Sequence, residues 1–163
     1  MKMKAVCPGT FDPITYGHID IARRASQLFD EVIIAVAQEP LKNTMFSFQE
    51  RLDLVTRTTS RIERVKTEPL NELIVQFCRK RGVRVIVRGV RMISDFEYEF
   101  QMALTNRSLA PEIETVFLMP NPQFSFISSR LIREAADYGG DLSQFLPETV
   151  INALRDKRYE NRG

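Results

Sequence analysis

Twelve residues near the start of the chain, Cys7-Pro8-Gly9-Thr10-Phe11-Asp12-Pro13-Ile14-Thr15-Tyr16-Gly17-His18, leave little freedom of local structure. They follow a short apolar run, Met3 to Cys7, and lead into a segment with helical periodicity. Two prolines and two glycines break regular structure between these elements, so a strand must end in a turn before a helix opens. Such a junction lets backbone approach an anion, and the helix N-terminus offers unpaired N–H groups carrying a partial positive charge. The expectation is a phosphate or nucleotide site. The chain's single histidine, His18, lies in the first turn of that helix, where an imidazole can donate a hydrogen bond to the same anion.

Apolar, β-branched runs alternate with amphipathic segments along the whole chain. Strands are expected at Lys4–Cys7, Val32–Ala37, Val83–Val87 and Thr115–Met119, with a more charged, edge-type strand at Ile62–Thr67. The first helix should bury Ile21, Ala22, Ala25, Leu28 and Phe29. Ser47 and Glu50 form a capping-box pattern ahead of a stripe of Phe48, Leu52, Val55 and Thr59. Asn71 is a candidate cap for a helix burying Leu73, Ile74, Phe77 and Cys78. A second capping box, Ser94 to Glu97, precedes Phe96, Phe100, Ala103 and Leu104 as an inward stripe. Ser128 reads as the N-cap of a helix burying Leu131, Ile132, Ala135 and Ala136 and stopped by Gly139-Gly140. Pro147 marks the start of a last helix with Val150, Ile151 and Leu154 inward, after which Arg155–Gly163 is polar enough to fray.

No repeat, low-complexity tract or linker divides the sequence, and 163 residues suit one domain, 1–163. Strands alternating with helices imply parallel βαβ units. The expected fold is therefore a single-domain, Rossmann-like α/β structure with a doubly wound five-stranded parallel sheet. Ligands in such sheets bind beyond the carboxyl ends of the strands. The opening motif follows the first strand, Lys42 the second, Arg88–Arg91 the fourth and Ser125–Ser129 the fifth. All the chemically suggestive residues thus fall on one rim.

Their types suit phosphate. Thr10 can bond an oxygen through its hydroxyl and its N–H, while Asp12 and Pro13 read as turn geometry with a carboxylate within reach of a metal-bound water. Arg88 and Arg91 flank Gly89 at a strand end, where guanidinium forks match phosphate; salt bridges to Asp95, Glu97 or Glu99 are the structural alternative. Arg79, Lys80 and Arg81 suit a solvated helix C-terminus. Ser128 and Ser129 open a helix near Arg130 and Arg133, a second anion site by the same logic. No HExxH, cysteine cluster, G-x-S-x-G or Walker A motif occurs.

Bulk properties narrow the class further. A net charge of +2, without aromatics interleaved among the arginines, argues against an RNA-binding regulator. No apolar run approaches the roughly 18 residues of a membrane span, and the N-terminus lacks the pattern of a signal peptide. Cys7 and Cys78 form no framework, are read as small buried hydrophobes, and suit a reducing cytoplasm.

The combination carries a resemblance. Pro8-Gly9-Thr10-Phe11-Asp12-Pro13 with Thr15-x-Gly17-His18 is similar to the first signature of the nucleotidyltransferase superfamily, in the threonine version of its (H/T)xGH motif. Phe126-Ile127-Ser128-Ser129 resembles the second. Arg88-Gly89-Val90-Arg91, the run Asp95–Glu99 and Phe117–Pro120 narrow the resemblance to the bacterial phosphopantetheine adenylyltransferases, over essentially the whole chain. Tyr16, Thr44 and Arg130 depart from the residues more usual there, which are asparagine, proline and a third serine. The resemblance implies reversible adenylyl transfer from ATP to 4'-phosphopantetheine with Mg²⁺, giving dephospho-CoA and pyrophosphate. It further implies that Thr10, Lys42, Ile74 and Arg88 hold the acceptor and that His18 stabilises the transition state. Thr10, Phe11, His18, Gly89, Val90, Arg91, Glu99, Phe124, Ser125, Phe126, Ile127, Ser128, Ser129 and Arg130 would form the ATP site. A homohexamer and feedback binding of coenzyme A are implied on the same ground. Nicotinate or nicotinamide mononucleotide as acceptor, or a cytidylyl transfer, is the competing chemistry on this fold; Lys42, Arg88 and Ser125-Phe126 weigh against it.

Overall fold

The computed structural model describes residues 2–40 and 43–160, and the side chains of all of these except 93, 94 and 158–160. The strands are β1 Lys4–Gly9, β2 Glu31–Ala37, β3 Val65–Leu70, β4 Val85–Gly89 and β5 Glu114–Leu118. Between and after them run helices α1 Tyr16–Leu28, α2 Phe48–Thr59, α3 Ile74–Arg81, α4 Ile93–Leu109, α5 Ser129–Asp137 and α6 Glu148–Glu160. The sheet is entirely parallel in the order β3-β2-β1-β4-β5, with Val6 opposite Ile33 on one side and Ile86 on the other. The winding direction reverses between β1 and β4, so the crevice for a ligand opens beyond the ends of these two strands.

Central strands covered on both faces must be apolar throughout, and they are: Ala5, Val6, Val32, Ile33, Ala35 and Val36 are all fully buried at 0% exposure. One helical layer packs Ile14, Phe46, Val55, Leu146 and Val150 against the sheet; the other packs Val75, Phe77 and Cys78. Both cysteines are free and buried. The Ser47–Glu50 capping box forms in both directions, and Ser128 caps α5 by accepting from the Leu131 N–H. Among the described residues no helix is long and apolar enough to cross a membrane.

Several expectations are corrected. β3 is the edge strand but begins at Val65 and continues through Pro69 to Leu70, because an edge tolerates a residue without an N–H. α3 opens at Ile74 with Leu73, not Asn71, as its N-cap, and among the described residues no side chain caps it. That phase buries Val75 and leaves Leu73 exposed. In α2 the inward ladder is Arg51, Leu54, Val55 and Thr59, with Phe48 and Leu52 at its margin. Leu28 and Leu131 face outward. α6 runs from Glu148 to Glu160.

The largest departure is α4. Met92 is its N-cap, which places Ser94 inside the first turn rather than at the cap. Phe96, Phe100 and Leu104 are 42%, 47% and 48% exposed, while Glu99 and Asn106 are the polar residues it buries. The helix turns the Glu99 carboxylate toward the ligand crevice and leaves Phe96, Phe100 and Leu104 on an exposed flank.

Candidate active site

The chain leaves β1 through Phe11, whose φ of 52° is left-handed. A non-glycine residue there costs about 1–2 kcal/mol. The Phe11 ring lies edge-on to the His18 ring, with centroids 5.1 Å apart. It also covers Gly9, where a Cβ would come within 2.9 Å of the ring. Gly9 is glycine because Phe11 occupies that space.

At the start of α1 the Thr15 hydroxyl accepts from the His18 N–H at 3.4 Å. In return, the Thr15 N–H donates to His18 Nδ1 at 3.1 Å. Histidine thus takes the place that Glu or Gln holds in an ordinary capping box. The consequence is chemical. A backbone N–H can only donate, so Nδ1 must carry a lone pair, and the proton of the neutral ring sits on Nε2. Burial first, and then the charges of Arg91 and Arg88, push the His18 pKa down to about 4. The ring is therefore a neutral Nε2–H donor at pH 7.

This assignment can be measured directly because the chain contains one histidine. Its imidazole resonances should titrate with a midpoint near 4 rather than 6.5, and the ¹⁵N shifts at pH 7 should report the Nε2–H tautomer. A midpoint near 6.5 would contradict it. The unfolded chain takes up this proton near 6.5 and the folded chain near 4, so His18 lowers stability progressively as pH falls through that window.

Asp12 does more than shape a turn. It is 2% exposed, and its two carboxylate oxygens accept from the Met45 and Phe46 N–H groups, each at 2.9 Å. Arg133 of α5 donates to the Asp12 carbonyl and, at 3.3 Å, to its carboxylate. The Ser129 hydroxyl donates to the Pro13 carbonyl at 2.9 Å. The start of α5 is thereby tied to the turn between β1 and α1.

From β4, Arg88 makes a two-pronged pair with Glu99, at 2.7 Å from Nε and 2.6 Å from the terminal nitrogen, and donates to the Pro8 carbonyl. Burial alone would lower the Arg88 pKa, but its bonds to Glu99 and the charge there outweigh that and raise it. Arg91 pairs with Asp95 at 3.1 Å and donates to the Ile127 carbonyl. The salt bridges offered as the alternative reading therefore exist, and they orient both guanidinium groups along the crevice. Arg88 has spent three of its five N–H donors on these described partners and keeps two.

These elements enclose a cleft of about 490 Å³. Thr10, Phe11, His18, Arg88, Gly89, Arg91 and Glu99 line it from the β1 and β4 side, and Ile127, Ser128, Ser129 and Arg130 from the α5 side. Other candidates stand outside the lining. Ile74 packs with the core beneath α3, and Val90 donates its N–H to the Leu118 carbonyl. Phe124 lies against Tyr16, Ser125 bonds the Pro122 carbonyl, and the exposed Phe126 meets Phe145 edge-on. Lys42 lies outside the described residues.

Asp12, Asp95 and Glu99 line the cleft, and each is already engaged by arginine or N–H donors. That donor set does not fit a protein-held Mg²⁺ ion, and among the described residues no three His, Cys, Asp or Glu side chains converge on a metal position. Sequence reasoning missed Arg51, which is 1% exposed and donates to the Thr10 carbonyl at 2.7 Å. The available signal is its i, i+4 ladder with Val55 and Thr59, which places it on the buried face of α2.

The cytidylyltransferase-like family matches residues 6–135. The phosphopantetheine adenylyltransferase of Desulforudis audaxviator is 50% identical, over 94% of both chains. That of Alkaliphilus metalliredigens is 48% identical, over 93% of this chain and 97% of its own. The chain belongs to the phosphopantetheine adenylyltransferase family. Among solved structures, a provisionally named nicotinate-nucleotide adenylyltransferase from Vibrio parahaemolyticus superimposes with a TM-score of 0.69. That match covers 94% of this chain and 99% of the other at 19% identity, and it speaks to the fold alone. The lipopolysaccharide core biosynthesis protein of Thermoplasma volcanium shares the fold at a TM-score of 0.54, with 19% identity over 74% of this chain and 98% of that one.

Proposed function

We propose that this cleft transfers the adenylyl group of ATP reversibly to 4'-phosphopantetheine, giving dephospho-CoA and pyrophosphate in coenzyme A biosynthesis. The observation that carries the reading is the convergence of Thr10, His18, Arg88, Arg91 and Ser128–Arg130 on one crevice at the switch point of the sheet. An oxygen of the acceptor phosphate attacks the α-phosphorus of ATP. The bond from that phosphorus to the bridging oxygen breaks, and pyrophosphate departs with the electron pair. The acceptor is already anionic at neutral pH, so no side chain need remove a proton. Catalysis rests on in-line positioning and on charge stabilisation at the phosphorus.

In this reading Thr10, Lys42 and Arg88 hold the acceptor phosphate and Ile74 meets the pantetheine arm. Phe11, Gly89, Val90, Arg91, Glu99 and Phe124–Arg130 hold ATP. His18 points its Nε2–H at the α-phosphate. Mg²⁺ travels with the triphosphate, which supplies the oxygens that the engaged carboxylates do not. The whole chain, 1–163, acts as one nucleotidyltransferase domain in the cytoplasm, without nucleic acid or membrane. The exposed phenylalanines of α4 support a homo-oligomer, proposed as a hexamer, and coenzyme A is proposed as a feedback ligand of the acceptor region.

The test is incubation with ATP, Mg²⁺ and 4'-phosphopantetheine, followed by mass detection of dephospho-CoA and of pyrophosphate. Nicotinate and nicotinamide mononucleotides serve as competing acceptors. Faster pyrophosphate release with a mononucleotide would overturn the choice of acceptor while leaving the fold and nucleotide chemistry in place.

A further inference from the structure

Arg51 is a buried cation whose described hydrogen-bond partners are all carbonyl oxygens. Its guanidinium donates to Thr10 and Ala37, both at 2.7 Å, and to Gln38 and Phe46, both at 3.3 Å. Thr10 belongs to the turn after β1, Ala37 and Gln38 to the end of β2, and Phe46 to the loop before α2. One side chain therefore spans three segments that the backbone ladder of the sheet no longer joins. Beyond Gly9 and Val36 the β1–β2 pairing stops, and Arg51 takes over from it.

Burying a guanidinium among carbonyls is expensive, and the cost has not been avoided with an apolar residue at this position. A single planar fork offers what no apolar side chain can: four donors in fixed geometry. Asp12 completes the arrangement from the opposite side. Its carboxylate takes the N–H of Phe46 while Arg51 takes the carbonyl of the same residue. Phe46 is thus held through both its N–H and its carbonyl, Met45 through its N–H, and the backbone of Thr10 is fixed relative to them.

We propose that Arg51 is a positioning residue for the acceptor phosphate: it sets the place of Thr10 against the β2–α2 loop and thereby the affinity of the acceptor side of the cleft. This rests on the reading of Thr10 as an acceptor ligand. Arg51 touches no substrate; it works through the Thr10 carbonyl. The Thr10 hydroxyl and N–H remain available to the phosphate, because Arg51 bonds the third polar group of that residue.

The experiment is a kinetic cycle of Thr10→Val, Arg51→Lys and the double variant, with KM measured separately for 4'-phosphopantetheine and for ATP. Lysine keeps the charge but cannot reach four carbonyls in one plane. Arg51→Lys is expected to raise the KM for 4'-phosphopantetheine about ten- to a hundredfold, with a much smaller change for ATP. Its effect in the Thr10→Val background should be much smaller, because the residue through which it acts has already lost its hydroxyl. A folded Arg51→Lys enzyme with an unchanged acceptor KM, or one that raises both KM values equally, overturns the proposal. If Arg51→Lys does not fold, Asp12→Asn, which loosens the same loop by one acceptor, must show the same split or the proposal falls. Should Thr10→Val alone leave the acceptor KM unchanged, the underlying reading of Thr10 fails, and with it the route proposed for Arg51.

Discussion

Replacing His18 with alanine is expected to lower kcat by about 10²–10³ while leaving the KM for ATP close to its original value. The magnitude is that of a donor aimed at charge developing in the transition state, and the split follows because such a bond strengthens mainly as the phosphorus is attacked. The structure adds a reason for the donor to be ready in advance. Its proton is fixed on Nε2 by the Thr15 N–H, and its pKa near 4 keeps the ring neutral through the working range. Alanine also removes half of the α1 capping box, so a loss of about 1 kcal/mol in stability should accompany the kinetic effect. His18→Gln separates the two. Glutamine at this position can still accept from the Thr15 N–H and should restore the melting temperature. Its flexible, differently aimed amide should not restore kcat. A folded His18→Ala enzyme with undiminished turnover would refute the role.

The motif at 7–18 was legible because Gly and Pro dictate where a strand must stop, and because a helix start advertises its caps. The strand runs were legible for a related reason: a parallel strand buried on both faces needs continuous apolar sequence, and Val32–Ala37 has it. From alternation alone the rim hypothesis follows, and Thr10, His18, Arg88 and Ser128 do converge on one cleft. What sequence could not disclose is which polar groups are spent on each other. Asp12 reads as a turn residue until the Met45 and Phe46 N–H groups, 33 and 34 positions away, arrive at its carboxylate. Arg51 lies in line with Val55 and Thr59, but its charge hides that signal, because charge on a helix is usually solvated. It is buried because strand-end carbonyls need a donor that the ladder no longer supplies.

α4 failed for a different reason. The spacing of Phe96, Phe100, Ala103 and Leu104 is that of an inward stripe, and periodicity says only that such residues share a face. In this chain the line turned inward runs through Glu99 and Asn106, beside that stripe rather than along it, and the partner of Glu99 is Arg88 on β4. The ion pair fixes the rotation of the helix and sends the phenylalanines outward. Phe96 still packs edge-on against Phe117 of β5, so the stripe straddles the boundary between the core and the surface.

That ion pair makes the second large effect predictable. Arg88→Ala should destabilise the protein by about 3 kcal/mol, the low end for removing one partner of a buried pair, since the Arg88 side chain is 30% exposed and Glu99 11%. Two costs contribute: a buried carboxylate loses both of its hydrogen bonds, and the Pro8 carbonyl loses its donor. The same variant should lose most turnover, with the larger effect on the KM for the acceptor, because Arg88 is the cation proposed to hold that phosphate. Stability and activity can be pulled apart with Glu99→Gln in the Arg88→Ala background. Removing the uncompensated charge should recover a substantial part of the melting temperature, since a neutral amide is far less costly to leave unpaired than a carboxylate. It should recover none of the acceptor affinity. Thermal melts and acceptor titrations on the two variants decide the matter. If Glu99→Gln restores both quantities together, Arg88 serves only to neutralise Glu99, and its proposed contact with the acceptor phosphate is wrong.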